Sequence, residues 1–244
     1  MKKIISLLLV LVLALSLAAC GEREVLIVGL EAGFPPFEWV DEGDKIVGID
    51  VDIAQYIADK WGMELKIQEG SFEVTLASVS NGNVDLGLSG ISRTPEREPN
   101  MDFSDPYFES NQVIVVKAGS SVKGLADLQG KKVGAQTGTT GEGMAQDELG
   151  TDNVVCYDKY TIAVQDLING QIEAIVMDAY PAQAAVAAHE GDIIMLAEPL
   201  GTDSYCIAVK KGNTELVADL NEIIKELKDS GKLDEIIKKY EDML

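Results

Sequence analysis

The chain has 244 residues, 46% of them hydrophobic, and carries 20 basic against 41 acidic side chains for a net charge of −21. So acidic a protein excludes a nucleic-acid partner, because binding phosphates needs a basic face. The length and apolar content suffice for a packed core, in one large domain or two of roughly 100 residues.

Residues 1–19 read as a processing segment. Lys2-Lys3 is the basic start, Ile4 to Leu15 the apolar stretch, and Leu17-Ala-Ala-Cys20 the small-residue cleavage site. The apolar stretch falls short of the roughly 20 residues a membrane-spanning helix needs. Glu24 to Leu30 predicts a first strand. Glu31-Ala-Gly-Phe-Pro-Pro-Phe37 follows as an extended loop, since each proline restricts the residue before it. Ile46–Ile49 predicts a short strand, and Asp50 or Asp52 is placed to cap a helix reaching Trp61, with Ile53, Ile57 and Trp61 on one face. A strand around Leu65, a helix over Phe72–Val79, a turn at Asn81-Gly82 and an apolar strand Val84–Leu88 continue the alternation. Strand and helix in turn are the mark of a parallel sheet with helices on its faces.

Gly90 ends that strand and opens the stretch Gly90-Ile-Ser-Arg-Thr-Pro-Glu-Arg-Glu-Pro-Asn-Met-Asp-Phe-Ser-Asp-Pro-Tyr-Phe108. An arginine near a strand end, with backbone N–H groups and Ser92 beside it, is suited to holding a carboxylate through two parallel hydrogen bonds. The residues alone equally allow a surface loop whose Arg93 and Arg97 pair with nearby acids. Gln112–Lys117 is the next strand. The alternation then restarts: strand Lys132–Ala135, the Gly138-Thr-Thr-Gly141 turn and a helix to Leu149; strand Val154–Tyr157 and helix Thr161–Ile168, closed by Asn169-Gly170; strand Ala174–Met177 and helix Pro181–Ala188. Ile193–Leu196 and Thr202–Lys210 read as strands, the latter unbroken, and two amphipathic helices end the chain. Two α/β units result, with candidate crossings near residues 109–113 and 200–205.

Thr139 and Thr140 stand where a glycine-rich turn meets a helix N-terminus, a place that favours an anion or simply a threonine cap. No Gly-Lys-Ser/Thr follows, so the turn is not a P-loop. Asp178 ends a strand, where α/β sheets bind ligands, and equally stands where it could cap the next helix. His189 is the single histidine, and no two cysteines form a C-x-x-C pair, so neither a triad nor a metal cluster can be assembled. Cys156 and Cys206, in apolar strand-like settings, are expected as buried free thiols.

Three stretches carry a resemblance: Gly-Ile-Ser-x-Thr-x-Glu-Arg with Asp-Phe-Ser-x-Pro-Tyr from Gly90, Gly-x-Asp-Val-Asp-x-Ala at Gly48–Ala54, and Tyr-x-Ile-Ala-Val-Lys-Lys-Gly at Tyr205–Gly212. Over essentially the whole mature chain the protein resembles solute-binding proteins of ABC importers for polar amino acids, the group that includes the glutamine- and histidine-binding proteins. The resemblance implies an α/β, two-lobed periplasmic-binding-protein-like fold (type II), its lobes joined by two crossing segments. Residues 22–109 plus 204–244 would form lobe 1, with the C-terminal helices returning to it, and residues 110–203 lobe 2.

By the same resemblance, Arg97 grips the α-carboxylate of a free L-amino acid, with Gly90 and Ser92 touching it, and Arg93 faces solvent. Thr139 and Thr140 contact the ligand from the second lobe, and Asp178 holds its ammonium. Phe34 and Phe72 match the flat faces around the ligand side chain, although as aromatics alone they would read as core. Glu31 matches an acid directed at polar or basic side chains, with a solvated loop acid as the plain alternative. Gln136 and Met177 stand near that pocket. Arginine ranks first as ligand, then lysine, ornithine and histidine, with glutamine or another polar neutral amino acid next. Partners would be the membrane subunits of an ABC importer, the protein a monomer without cofactor, metal or catalytic residues. Leu-Ala-Ala-Cys20 resembles the bacterial lipobox, which implies lipidation of Cys20 and anchoring on the outer face of the cell membrane. An enzyme on the same fold, such as a cyclohexadienyl dehydratase, is the alternative.

Overall fold

The computed structural model describes residues 24–241; the processing segment and Cys20 lie outside them. The first strand, β1 (Val25–Leu30), buries Leu26, Val28 and Leu30, and pairs in parallel with β5 (Glu64–Glu69) and β6 (Leu86–Gly87). With β14 (Ala208–Lys210), antiparallel to β6, and β7 (Met101–Phe103), antiparallel to β14 in turn, these make one sheet in the order β5-β1-β6-β14-β7. A small meander of β2 (Gly33–Phe34), β3 (Glu38–Val40) and β4 (Ile46–Val47) stands beside it. Helix α1 (Ile49–Trp61) buries Ile53, Ala54, Ile57 and Ala58 along one stripe, and α2 (Phe72–Asn81) buries Phe72, Thr75, Ser78 and Val79.

The second sheet runs β10 (Val154–Tyr157), β9 (Val133–Gln136), β11 (Ala174–Asp178), β8 (Phe108–Lys117), β12 (Ile193–Met195), with β13 (Gly201–Tyr205) also paired to β8. Its helices are α3 (Thr140–Leu149), α4 (Tyr160–Ile168) and α5 (Ala179–Ala188). The C-terminal helices α6 (Thr214–Asp229) and α7 (Lys232–Glu241) pack back toward the first lobe. Tyr56 of α1 donates to Glu226 (2.8 Å), Lys239 pairs with Asp52 (2.6 Å), and the Tyr240 ring meets Trp39 edge-on. The molecule is thus two α/β lobes, each with its own sheet. The antiparallel β8–β13 pair, Phe108 opposite Tyr205, marks where the chain passes between them twice.

Several sequence expectations need correction. Thr202–Lys210 is two strands, because the chain changes sheets in its middle. Tyr205 still pairs with Phe108, but the Cys206 N–H donates to the Ile91 carbonyl (2.9 Å), the Ile207 N–H to Ser104 Oγ (2.8 Å), and Ala208 pairs with Phe103. Both sheets bury this run, so its apolar pattern continues across the break. Val84–Leu88 yields a ladder only at Leu86–Gly87. Neither aspartate caps α1. Its N-cap is Gly48, at φ 142°, where a Cβ would come within 2.0 Å of the Phe37 carbonyl oxygen, so a residue with a side chain does not fit. Among the described residues, Cys156 and Cys206 are both free, but only Cys206 is buried; Cys156 is exposed, its thiol 3.1 Å from Glu142.

Candidate functional site

The carboxyl ends of β1, β6, β9 and β11 converge between the lobes, where open α/β sheets place their ligands. There, one cavity is lined by Glu31, Phe34, Phe72, Ser89, Gly90, Ser92 and Arg97 from the first lobe and Gln136, Thr139, Thr140 and Asp178 from the second. The ten residues singled out in the sequence are therefore brought together, with Ser89 added. Arg97 is anchored at both ends of its fork: Nη1 donates to the Ser92 carbonyl (2.6 Å) and Nη2 to the Gly138 carbonyl of the other lobe (2.8 Å). Its guanidinium lies 5.3 Å from the centre of the Phe72 ring, a cation–π distance. Arg93, by contrast, is exposed and paired with Glu98 (2.5 Å). Gly90 sits at φ 55°, and a Cβ there would come 2.8 Å from the Phe34 ring, so the loop turns here only with glycine.

Across the cleft, Thr139 is the N-cap of α3, its hydroxyl accepting the Glu142 N–H (3.2 Å), while Glu142 accepts the Gly138 N–H (2.6 Å). The turn is thus both a capped helix start and a wall of the cavity. Asp178 holds the N-cap position of α5 without capping it. Its carboxylate instead accepts the Tyr205 hydroxyl at 2.5 Å. Glu31 is 3% exposed and accepts from Gln136 Nε2 (2.5 Å), a contact that spans the lobes. It is not a solvated loop acid.

The electrostatics are unusual for so acidic a chain. Arg97 is partly buried, and its pKa is lowered by desolvation. Burial pushes Asp178 up to about 6, opposed by the hydrogen bond from Tyr205. Burial likewise pushes Glu31 up to about 7, against the pull of the Gln136 hydrogen bond and of Lys159. Among the described residues, Arg97 has no carboxylate, and Asp178 and Glu31 have no lysine or arginine, within ion-pairing distance. Opposite charges are thus held apart, Arg97 and Glu31 on the first lobe and Asp178 on the second. A buried charge without a counter-charge is costly. The arrangement is complementary to a small molecule bearing an anion at one end and cations elsewhere.

Residues 26–243 match the bacterial extracellular solute-binding proteins, family 3. The chain belongs to that family. It is 33% identical, over 98% of each chain, to the arginine-binding extracellular protein ArtP of Bacillus subtilis (strain 168). Among solved structures it is similar to a mutant of ArgBP from T. maritima, at 41% identity and a TM-score of 0.84, covering 89% of this chain and 95% of that one. It is also similar to ArtJ, the arginine-, lysine-, histidine-binding protein from Geobacillus stearothermophilus, at 35% identity and a TM-score of 0.83, again over 89% and 95%.

Several residues of this family 3 solute-binding protein hold the cavity wall without having stood out in the sequence as site residues. Tyr205 lies in the crossing segment, 0% exposed, its ring stacked on Phe108 and packed against Phe37. Gln112 and Asp203, on the paired crossing strands, meet at 2.8 Å, and Asp203 also accepts from Thr140 (2.7 Å). Buried polar residues on crossing strands are a signal that alternation alone could have raised for Asp203 and Tyr205, which share a face. Met177 does not join the cavity. Strand alternation turns it to the opposite side from Asp178, into an apolar groove lined by Val164, Pro181 and Ala185.

Proposed function

We propose that the chain is an extracytoplasmic receptor that binds a free L-amino acid between its lobes and delivers it to an ABC importer, with no catalysis of its own. Lobe 1 comprises residues 22–109 and 204–244 and lobe 2 residues 110–203. Arg97 takes the α-carboxylate, with Gly90, Ser92, Thr139 and Thr140 around it, and Asp178 takes the ammonium. Phe34 and Phe72 flank the side chain, and Glu31 with Gln136 reads its far end. The observation that carries this reading is the separated charge set: an arginine without a carboxylate faces two buried carboxylates without a cation. An amino acid with a basic side chain supplies all three missing partners. Arginine ranks first, since its flat guanidinium also suits aromatic faces at about 0.5–2 kcal/mol. Lysine, ornithine and histidine follow, with glutamine next. The names of the relatives support the ranking.

A thermal-shift screen of the monomeric protein against the twenty amino acids tests it. A ligand at 100 times its Kd stabilises by about 2.7 kcal/mol. Arginine should give the largest rise in Tm, glutamate and aspartate none. A rise with a neutral amino acid but not with arginine or lysine would move the ligand class. Turnover of prephenate or arogenate would replace the receptor by an enzyme.

Cys20 is proposed as the lipid-bearing N-terminus of the mature protein, held on the outer face of the cell membrane. Each buried methylene of its acyl chains contributes about 0.8 kcal/mol, and two chains suffice for stable anchoring. Cys20→Ser is therefore expected to appear in the soluble fraction or to remain unprocessed. Membrane-bound protein of mature mass would contradict the anchor.

A further inference from the structure

Beneath the lobe 1 wall of the cavity lie two further carboxyl groups, Glu38 of β3 and Asp50 of α1, each 0% exposed. Each is tied to a different residue of the wall. Ser89 Oγ donates to Glu38 Oε1 (2.7 Å) and accepts the Glu31 N–H (3.0 Å). Asp50 Oδ2 accepts the Gly90 N–H (2.9 Å), and the Tyr107 hydroxyl stands 2.8 Å from both Asp50 oxygens. Glu38 Oε2 meets no donor among the described residues, and the Glu38 and Asp50 carboxyls lie close enough to interact directly.

Two ionised carboxylates in contact in a dry site repel strongly, so one of such a pair keeps its proton. The titratable groups facing this pair are Glu31 and Tyr107, neither of them a cation that could offset a second negative charge. The donors decide which partner is neutral. Asp50 receives two, the Gly90 N–H and the Tyr107 hydroxyl, and is thereby stabilised as the anion. Glu38 receives one, and its free oxygen can satisfy itself only by donating.

We propose that Glu38 and Asp50 hold a single proton, carried on Glu38 Oε2 and donated to Asp50, and that this pair positions Glu31 and Gly90 at the cavity. Glu38 acts through Ser89 on the Glu31 backbone, and Asp50 acts directly on the Gly90 N–H. Both are positioning residues. Their effect on ligand affinity rests on the receptor reading; the shared proton does not. Burial, then the Asp50 charge, raise the Glu38 pKa well above the usual carboxylate range. The sign of the linkage follows. Above the ordinary glutamate pKa the unfolded chain has released this proton and the folded one retains it, so stability falls as pH rises until the folded group also ionises.

The test compares wild type with Glu38→Gln and Asp50→Asn. A glutamine at 38 keeps the acceptor for Ser89 and puts an N–H in place of the shared proton. It should therefore weaken ligand binding less than Asp50→Asn does. An asparagine at 50 sets an N–H against Gly90 or Tyr107 and should weaken binding by about tenfold or more. Without added ligand, the folding equilibrium constant of the wild type should fall with pH more steeply than that of Glu38→Gln, by about tenfold per pH unit above roughly pH 4.5. Infrared difference spectra at neutral pH should contain a carboxylic-acid C=O band in the wild type that Glu38→Gln lacks. Parallel pH profiles with an unchanged band would overturn the shared proton, as would Glu38→Gln harming binding more than Asp50→Asn. A shared proton found in a protein that binds no amino acid would overturn the receptor reading and the positioning role, leaving the proton in place. Should Asp50→Asn fail to fold, the pH profile and the infrared band of Glu38→Gln still decide.

Discussion

Arg97→Ala is expected to lower affinity for the amino acid by two to three orders of magnitude, while Arg93→Ala leaves it almost unchanged, as read by calorimetry. Removing one member of a hydrogen-bonded charge pair in an enclosed site costs about 2–5 kcal/mol, much of it from leaving the other charge desolvated and unpaired. Arg97 is placed for that role. Its fork is held rigid by the Ser92 and Gly138 carbonyls and by the Phe72 face. The two carbonyl contacts use only part of its five donors, so N–H groups remain for a carboxylate. Arg93 is already paired with Glu98 at an exposed position, where an ion pair contributes about 0–1 kcal/mol. Arg97→Lys should fall between, since a lysine keeps the charge and loses the planar two-pronged grip. Equal losses at the two arginines, or the reverse order, would overturn the assignment.

The residues that were legible in the sequence are those whose position follows from local pattern. Asp178 terminates a wholly apolar strand, and Gly90 and Gly138 stand at turns that need positive φ, so each could be placed at the cleft before any coordinates. The motif around Arg97 told the two arginines apart, which pattern alone did not. What stayed hidden depends on distance in sequence. Nothing local pairs Glu38 with Ser89, 51 residues away, or Tyr107 with Asp50, 57 away, and a run of acids in so acidic a chain reads as solvated surface. A crossing near residues 200–205 was expected, but the break of Thr202–Lys210 into two strands was invisible for a related reason. Burial sets the apolar pattern, and both sheets bury that segment, so the change of hydrogen-bonding partner leaves no mark on composition.

Glu31→Gln is expected to convert the preference of the site from arginine toward glutamine and to remove the part of the pH dependence that Glu31 contributes, leaving that of Asp178. Glu31 is 3% exposed, held by Gln136 from the opposite lobe, with Glu69 and Asp158 adding negative charge and Lys159 opposing them. Burial dominates and raises its pKa to about 7, so near neutrality the free protein carries a substantial protonated fraction. A guanidinium needs the carboxylate. Below about pH 7, binding a cationic ligand must therefore expel the proton, and affinity for arginine should fall with decreasing pH by up to about tenfold per unit. Above that pH the group is already ionised and affinity should level off. A neutral ligand such as glutamine gains nothing from the ionised Glu31 and should keep only the fall below about pH 6 that protonation of Asp178, the partner of every amino acid's ammonium, imposes. In Glu31→Gln the ligand cation is left without its counter-charge, which costs about 2–5 kcal/mol. An amide in that place can still exchange hydrogen bonds with a neutral amide. Calorimetry of arginine and glutamine at several pH values, in buffers of different ionisation enthalpy, reads both the affinity and the proton released. A wild-type arginine affinity whose pH profile matches that of glutamine, or an arginine affinity unaffected by Glu31→Gln, would mean that Glu31 does not meet the ligand's cation, and the preference for a basic amino acid would lose its physical basis.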